Sequence, residues 1–64
     1  MKTEAQTLLT VAEVAEELRV SRNRVYELIA RGYLRGVRVG ERQIRVRRQD
    51  LDAFFEDNFV VDTE

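Results

Sequence analysis

The side chains that could recognise a ligand are concentrated in the middle of this sequence. All ten arginines lie in the segment 19–48, at positions 19, 22, 24, 31, 35, 38, 42, 45, 47 and 48. The planar guanidinium group bonds phosphate oxygens and the edge of guanine better than an ammonium group does. The composition of this segment therefore favours nucleic acid as a ligand.

The net charge of −1 conceals a strong segregation of charge along the chain. Residues 1–18 carry −3, residues 19–48 carry +8 and residues 49–64 carry −6, which together give the net charge of −1. Such a distribution lets a protein hold a polyanion on one side. The alternative is that the arginines are solvated and the acidic flanks fold back on them as ion pairs.

The composition excludes several classes of function. The chain of 64 residues has no Cys, no His and a single serine, Ser21, so zinc fingers, disulfides and thiol or imidazole catalysis are excluded. We therefore expect one small domain that is not an enzyme and has no cofactor, metal or small-molecule substrate. The longest apolar run is three residues, so we expect no membrane contact and a cytoplasmic location.

A first helix is predicted to begin after Thr10 and to continue to about Leu18. Thr10 and Glu13 have the spacing of a capping box, in which each side chain accepts a hydrogen bond from the other residue's backbone N–H. The apolar residues of this segment recur at helical spacing: Val11, Val14, Ala15 and Leu18.

A second helix is predicted to begin after Ser21, a good N-cap, and to end near Gly32 in a left-handed cap. Its buried stripe would be Val25, Leu28 and Ile29. Two short helices joined by a three-residue turn form a helix-turn-helix.

The residues after the second helix change to a period of two, which predicts a β-hairpin. Pairing Val37 with Ile44 and Val39 with Arg42 leaves Gly40 and Glu41 as a type II′ turn. This register puts the apolar residues on one face and Arg38, Gln43 and Arg45 on the other. A third helix is predicted from about Arg48, with the apolar stripe Leu51, Phe54 and Phe55.

The exposed face of the second helix is the candidate reading surface. The N-terminal residues of a recognition helix contact base edges, where Asn bonds adenine and Arg bonds guanine. Tyr26 could stack on a sugar or bond a phosphate, and Glu27 could accept from cytosine or orient a neighbouring arginine. The candidate DNA-binding residues of this helix are Ser21, Arg22, Asn23, Arg24, Tyr26 and Glu27.

Two of these residues, and two further arginines, also have a simpler interpretation. Tyr26 could cover the hairpin, and Asn23 could be an ordinary surface residue. Arg31 and Arg35 could equally be solvated or stabilise the C-terminal end of the helix.

The hairpin provides a second candidate contact with DNA. Its arginines could reach backbone phosphates or a narrow minor groove, or could instead protect edge strands from aggregation; they are Arg38, Arg42 and Arg45. Arg47 and Arg48 oppose the dipole of the third helix, and this local cost favours a functional reason for them.

Over residues 9–55 the sequence resembles the excisionase-type branch of the MerR-like winged helix-turn-helix family. The resemblance is carried by the run from Leu9 to Glu16, by Val20-Ser21, Val25-Tyr26, Leu28-Ile29, Gly32, Leu34, Val37-Arg38-Val39-Gly40 and Ile44-Arg45, and by Asp50-Leu51-Asp52-Ala53-Phe54. It implies a mainly α fold with a small β-hairpin, in the order α-α-β-β-α. We expect residues 1–8 to be a flexible N-terminal segment, residues 9–58 the DNA-binding domain and residues 59–64 a C-terminal tail.

Matched by position, the resemblance assigns Arg22, Asn23, Arg24 and Tyr26 to the reading surface and Arg38, Arg42 and Arg45 to the wing. The sequence departs from the family pattern at three places. Arg19 replaces a usual Gly, so a left-handed conformation there would cost about 1 kcal/mol. Arg35-Gly36 stands where Pro is common, and Gln43 stands where an aromatic often packs.

The resemblance implies a sequence-specific, DNA-bending accessory protein, most simply an excisionase. Such a protein binds repeated sites cooperatively with neighbouring copies of itself and directs a tyrosine integrase toward prophage excision. One module buries only about 600–1,000 Å² on DNA, so affinity would come from several copies or a partner. The alternatives are a small MerR-like transcriptional regulator and a protein-interaction adaptor. Because the chain ends soon after the third helix, we expect no long dimerisation helix or effector domain.

Overall fold

The computed structural model of the chain describes residues 7–41 and 43–60. These residues form a single small domain with three helices and a three-stranded antiparallel sheet, which confirms the winged helix-turn-helix predicted from the sequence. The elements in chain order are β1 (Leu8–Thr10), α1 (Val11–Leu18), α2 (Arg22–Ala30), β2 (Val37–Arg38), β3 (Ile44–Arg47) and α3 (Arg48–Asp57).

The start of α1 is fixed by the predicted capping box. The Glu13 backbone N–H donates to Thr10 Oγ1 over 3.0 Å, and the Thr10 backbone N–H donates to Glu13 Oε1 over 2.9 Å. The helix ends at Leu18 because Arg19 adopts a left-handed conformation, with φ 62° and ψ 44°. The family pattern usually has glycine at this position, and the sequence analysis predicted that a left-handed conformation of Arg19 would be strained.

The helix α2 begins and ends as predicted. Ser21 Oγ accepts a hydrogen bond from the Arg24 backbone N–H over 3.1 Å, and Gly32 follows the helix with φ 84°. Val25 is fully buried, and Leu28 and Ile29 pack against the core. The buried face of α2 is therefore the predicted one, which leaves the opposite face exposed.

The strand β1 was not predicted, because three residues are too few to show an alternating pattern. It pairs with β3, with Leu9 opposite Val46, so that the strand order is β1-β3-β2. Since β1 leads directly into α1, this pairing joins the first helix to the hairpin through backbone hydrogen bonds.

The predicted hairpin register is wrong by one residue. The structure pairs Val37 with Arg45 and Arg38 with Ile44, and the Val39 N–H donates to the Gln43 carbonyl over 2.8 Å. Three residues rather than two therefore connect the paired strands, so the predicted two-residue type II′ turn is wrong as well.

Of the four apolar residues predicted to share one face, Ile44 and Val46 pack against or within the core, whereas Val37 and Val39 do not. A Cβ added at the exposed Gly36 would lie 3.1 Å from a methyl group of Ile29 and 3.2 Å from one of Ile44, so a side chain there would crowd both residues. Directly paired residues share a face of a sheet, so Val37 lies on the face of Arg45, and Val39 is 44% exposed. The four apolar residues of the hairpin are consequently divided between the two faces.

The core of the described residues draws on every helix and on β3. Leu34, between α2 and β2, is also part of the core and is 1% exposed. The buried residues are Val11, Val14, Ala15, Val25, Leu34, Val46 and Leu51. Within the described ranges, the helices are too short and too polar to cross a bilayer.

Arg19→Gly should raise the free energy of unfolding by about 1 kcal/mol, because glycine adopts the left-handed conformation without the clash of a Cβ. Arg19→Ala is the matched control, since it removes the same charge and keeps the Cβ. Urea unfolding measures both variants. Equal stabilisation by the two substitutions would show that the charge of Arg19, and not its backbone conformation, is the source of the cost.

Candidate nucleic-acid interface

The first turn of α2 presents two side chains without intramolecular partners. Arg22 and Asn23 are exposed, and neither side chain makes a hydrogen bond or ion pair with another described residue. They directly follow Ser21, whose hydroxyl caps the helix. The polar groups of both side chains are thus available to an external ligand.

Glu27 forms ion pairs with two arginines, one within α2 and one directly after it. Its Oε1 is 3.0 Å from Nη1 of Arg24, and its Oε2 is 3.2 Å from Nη2 of Arg31. Both carboxylate oxygens are therefore engaged, which favours the orienting role for Glu27 over the acceptance of a hydrogen bond from cytosine. Arg31 at the C-terminal end of the helix is held by the same carboxylate.

A surface cleft of about 220 Å³ lies between α2, β3 and the start of α1. Tyr26, which is 46% exposed, lies at this cleft together with Arg22 from α2 and Arg45 from β3. The structure thus brings residues of the predicted reading helix and wing to one place. Among residues 7–41 and 43–60 the lining contains no acidic residue and consists of Thr10, Val11, Ala12, Arg22, Tyr26, Gln43, Ile44 and Arg45.

The hairpin arginines bond neutral acceptors in their own neighbourhood. Nη1 of Arg38 donates to the Glu41 carbonyl over 3.2 Å, and Nη1 of Arg45 donates to the Ile44 carbonyl over 3.1 Å. Arg38 and Arg45 were predicted to share the outer face, but the observed register puts them on opposite faces of the sheet. Arg42, the third predicted residue of the wing, lies outside the described residues.

Arg47 and Arg48 have a structural explanation that the sequence analysis missed. Nε of Arg47 is 2.7 Å from Oδ2 of Asp50, whose side chain is 10% exposed. Arg48 binds Glu17 in a bidentate manner, with Nη2 at 2.7 and 2.8 Å from the two carboxylate oxygens, and Nε lies 3.7 Å from Asp52. These carboxylates offset the unfavourable position of two arginines at the N-terminus of α3.

The helix-turn-helix domain family matches residues 8–58 of the chain. The chain belongs to this family. The family is one of DNA-binding domains and includes excisionase-like proteins.

Two curated relatives of the helix-turn-helix domain come from Mycobacterium tuberculosis. They are "Putative DNA-binding protein MT0521" of strain CDC 1551 / Oshkosh and "Putative DNA-binding protein Rv0500A" of strain ATCC 25618 / H37Rv, each 46% identical over 52 residues. The match spans 81% of this chain and 65%, less than two thirds, of each relative. No solved structure matches the chain significantly.

The arginines of the helix-turn-helix domain divide into two groups. Four pair with carboxylates, Arg24 and Arg31 with Glu27 on the exposed face of α2, and Arg47 and Arg48 with acidic residues of α1 and α3. Five have no carboxylate partner among residues 7–41 and 43–60: Arg19, Arg22, Arg35, Arg38 and Arg45. The acidic flanks therefore fold back on only part of the basic segment, a division that sequence spacing alone could not reveal.

Arg48→Ala should lower the free energy of unfolding by about 0.5–1 kcal/mol, because it leaves Glu17 and Asp52 without their partner. The loss should shrink in about 1 M salt, which screens such pairs. Arg22→Ala is the control that removes an unpaired arginine, and its effect should stay within about 0.5 kcal/mol. An equal loss from both variants in urea unfolding would contradict the division into structural and free arginines.

Proposed function

We propose that this helix-turn-helix domain binds double-stranded DNA in a sequence-specific manner, with the first turn of α2 in the major groove and the hairpin against the adjacent backbone. The observation that carries the proposal is the pair of exposed, unpartnered side chains of Arg22 and Asn23 at the first turn of a capped recognition helix. Family membership and the names of the two mycobacterial relatives support it.

Asn23 is the residue of α2 suited to direct reading of a base. Its side-chain amide offers one acceptor and two donors, which match the N6 and N7 groups of adenine in the major groove. Glu27 contributes by holding Arg24 and Arg31 along the exposed face of the helix. Ser21 contributes by capping the helix, so that its first turn keeps its shape on the DNA.

The proposed role is binding without catalysis. Ser21 is the only serine, and its hydroxyl oxygen accepts a hydrogen bond from the Arg24 backbone N–H. Its position at the helix N-cap is explained by this bond. DNA bound at the domain would therefore be held and shaped but left chemically unchanged.

The specific role that we propose is that of an excisionase-type accessory factor, which binds and bends DNA for a recombination reaction. One recognition helix and one hairpin bury only about 600–1,000 Å² on DNA, so tight binding requires neighbouring copies or a partner such as a tyrosine integrase. Neutralising phosphates on one face of the duplex favours bending toward the protein. At the far end of the domain, the acidic helix α3 is followed by two exposed apolar residues, Phe59 (74% exposed) and Val60 (81% exposed).

The aromatic residues of this far end divide between core and surface. Phe54 packs against the core, whereas Phe55 is 42% exposed and meets Phe54 edge-on with ring centroids 6.4 Å apart. Phe55, Phe59 and Val60 are therefore the exposed apolar residues that we propose for contact with a neighbouring copy or an integrase.

Asn23→Ala should weaken binding to the preferred site by about 1–3 kcal/mol and relax the preference at one base pair, while binding to unrelated duplexes stays unchanged. Gln49→Ala is the matched control, because Gln49 is an exposed amide on α3. Fluorescence anisotropy with the preferred and an unrelated duplex gives both constants. A uniform loss on the two duplexes would assign Asn23 to the backbone and move the reading surface elsewhere.

The double charge reversal Glu56→Lys with Asp57→Lys should preserve DNA binding and abolish excision, because it inverts the charge beside the proposed partner surface. The assay compares recombination by an integrase encoded beside the protein with binding of the isolated domain to the same DNA. Glu16→Lys, a reversal on the exposed face of α1, serves as the control. Retention of both binding and excision in the double variant would contradict the partner contact.

A further inference from the structure

The cleft between α2, β3 and the start of α1 has the charge of an anion site. Two arginines from distant parts of the chain, Arg22 and Arg45, line it together with Tyr26. Neither arginine has a carboxylate partner among the described residues, and no acidic residue lines the cleft. Two uncompensated positive charges in one concave site favour a ligand with a full negative charge.

Arg45 gives the clearest indication of a missing counter-charge. Its side chain is half-buried, yet it bonds only neutral acceptors, the Ile44 carbonyl at 3.1 Å and Gln43 Oε1 at a long 3.5 Å. A guanidinium group that is partly withdrawn from water is stabilised most by an ionised acceptor. The remaining N–H donors of Arg45 have no acceptor among the residues that the structure describes, so they can bond such an acceptor.

The size of the cleft fits a phosphate group. Its volume of about 220 Å³ leaves room for the five heavy atoms of a phosphate group. Tyr26 also lines the cleft, and its hydroxyl group is the further candidate to bond an ester oxygen or the attached sugar.

We infer that this cleft seats one phosphodiester group of the DNA backbone, bonded by Arg22 from the recognition helix and Arg45 from the wing. The inference rests on the proposed function and deepens it. Arg22, which the sequence assigned to the reading of guanine, then belongs to the backbone, and Asn23 remains to read a base. A base edge carries only partial charges, whereas a phosphodiester matches two guanidinium groups in charge and in hydrogen-bond geometry.

A phosphate held by both elements fixes the position of the duplex relative to the domain. Contacts to phosphates set register and orientation without reading sequence. Binding of one group by α2 and β3 together therefore determines which bases Asn23 can reach, although neither arginine contacts a base.

The test combines Arg22→Ala and Arg45→Ala with a duplex series in which each phosphate of the preferred site is replaced in turn by a neutral methylphosphonate. One position should weaken wild-type binding by about tenfold or more, the value of a charge-assisted hydrogen bond. At that position each variant should lose less affinity than the wild type does, because only one guanidinium group remains to bond the phosphate, and the double variant should lose none. The double variant should also lower the salt dependence by about 0.9 in log–log slope, and all three variants should keep the base preference of the wild type.

Arg35→Ala is the matched control, because Arg35 also lacks a carboxylate partner among the described residues but lines a different cleft, beside α3. This variant should remain sensitive to the methylphosphonate at the critical position. Its sensitivity at every position should match that of the wild type.

Three results would overturn the inference. If Arg22→Ala and Arg45→Ala respond to different phosphates, the two arginines do not share one group. If Arg22→Ala relaxes the preference at a guanine, Arg22 reads a base. If inorganic phosphate saturates the cleft while both variants bind duplex as well as the wild type, the cleft takes free phosphate.

In each of these cases the wild type still binds its site. Failure of the wild type to prefer any duplex is the separate result that would refute the proposed function itself.

Discussion

The arrangement of the domain depends on the pairing of β1 with β3. Leu9 lies opposite Val46, and Val46 is fully buried at the centre of the core. Because β1 runs without interruption into α1, this pairing holds the helix-turn-helix and the hairpin in one rigid unit. The cleft shared by α2 and β3 exists only because these two elements are fixed against each other, and the proposed DNA contact follows from that geometry.

Charge performs two separate tasks in this small domain. The pairs of Arg47 with Asp50 and of Arg48 with Glu17 attach α3 to the rest of the fold. Arg22 and Arg45, which have no carboxylate partner among the described residues, line one cleft together. The acidic flanks thus neutralise the arginines that the fold uses and leave a concentrated positive charge where a polyanion would bind.

The sequence predicted those features that depend on local rules. The capping box of Thr10 and Glu13, the cap at Ser21 and the buried stripe of α2 were correct because each is determined within about one helical turn. The hairpin register was not, since β3 also pairs with β1 and places Val46 in the core, and these contacts join residues far apart along the chain. The bond between Arg48 and Glu17 was missed for the same reason, because it spans 31 residues.

The central claim is that the domain recognises duplex DNA through α2 and the hairpin. Selection of bound duplexes from a random pool, at about 50 mM and about 200 mM salt, tests this claim most directly. We predict enrichment of tandem half-sites in the same direction, with affinity that falls steeply as salt increases. Absence of enrichment even at low salt would contradict the claim and would assign the arginine-rich face to a protein partner.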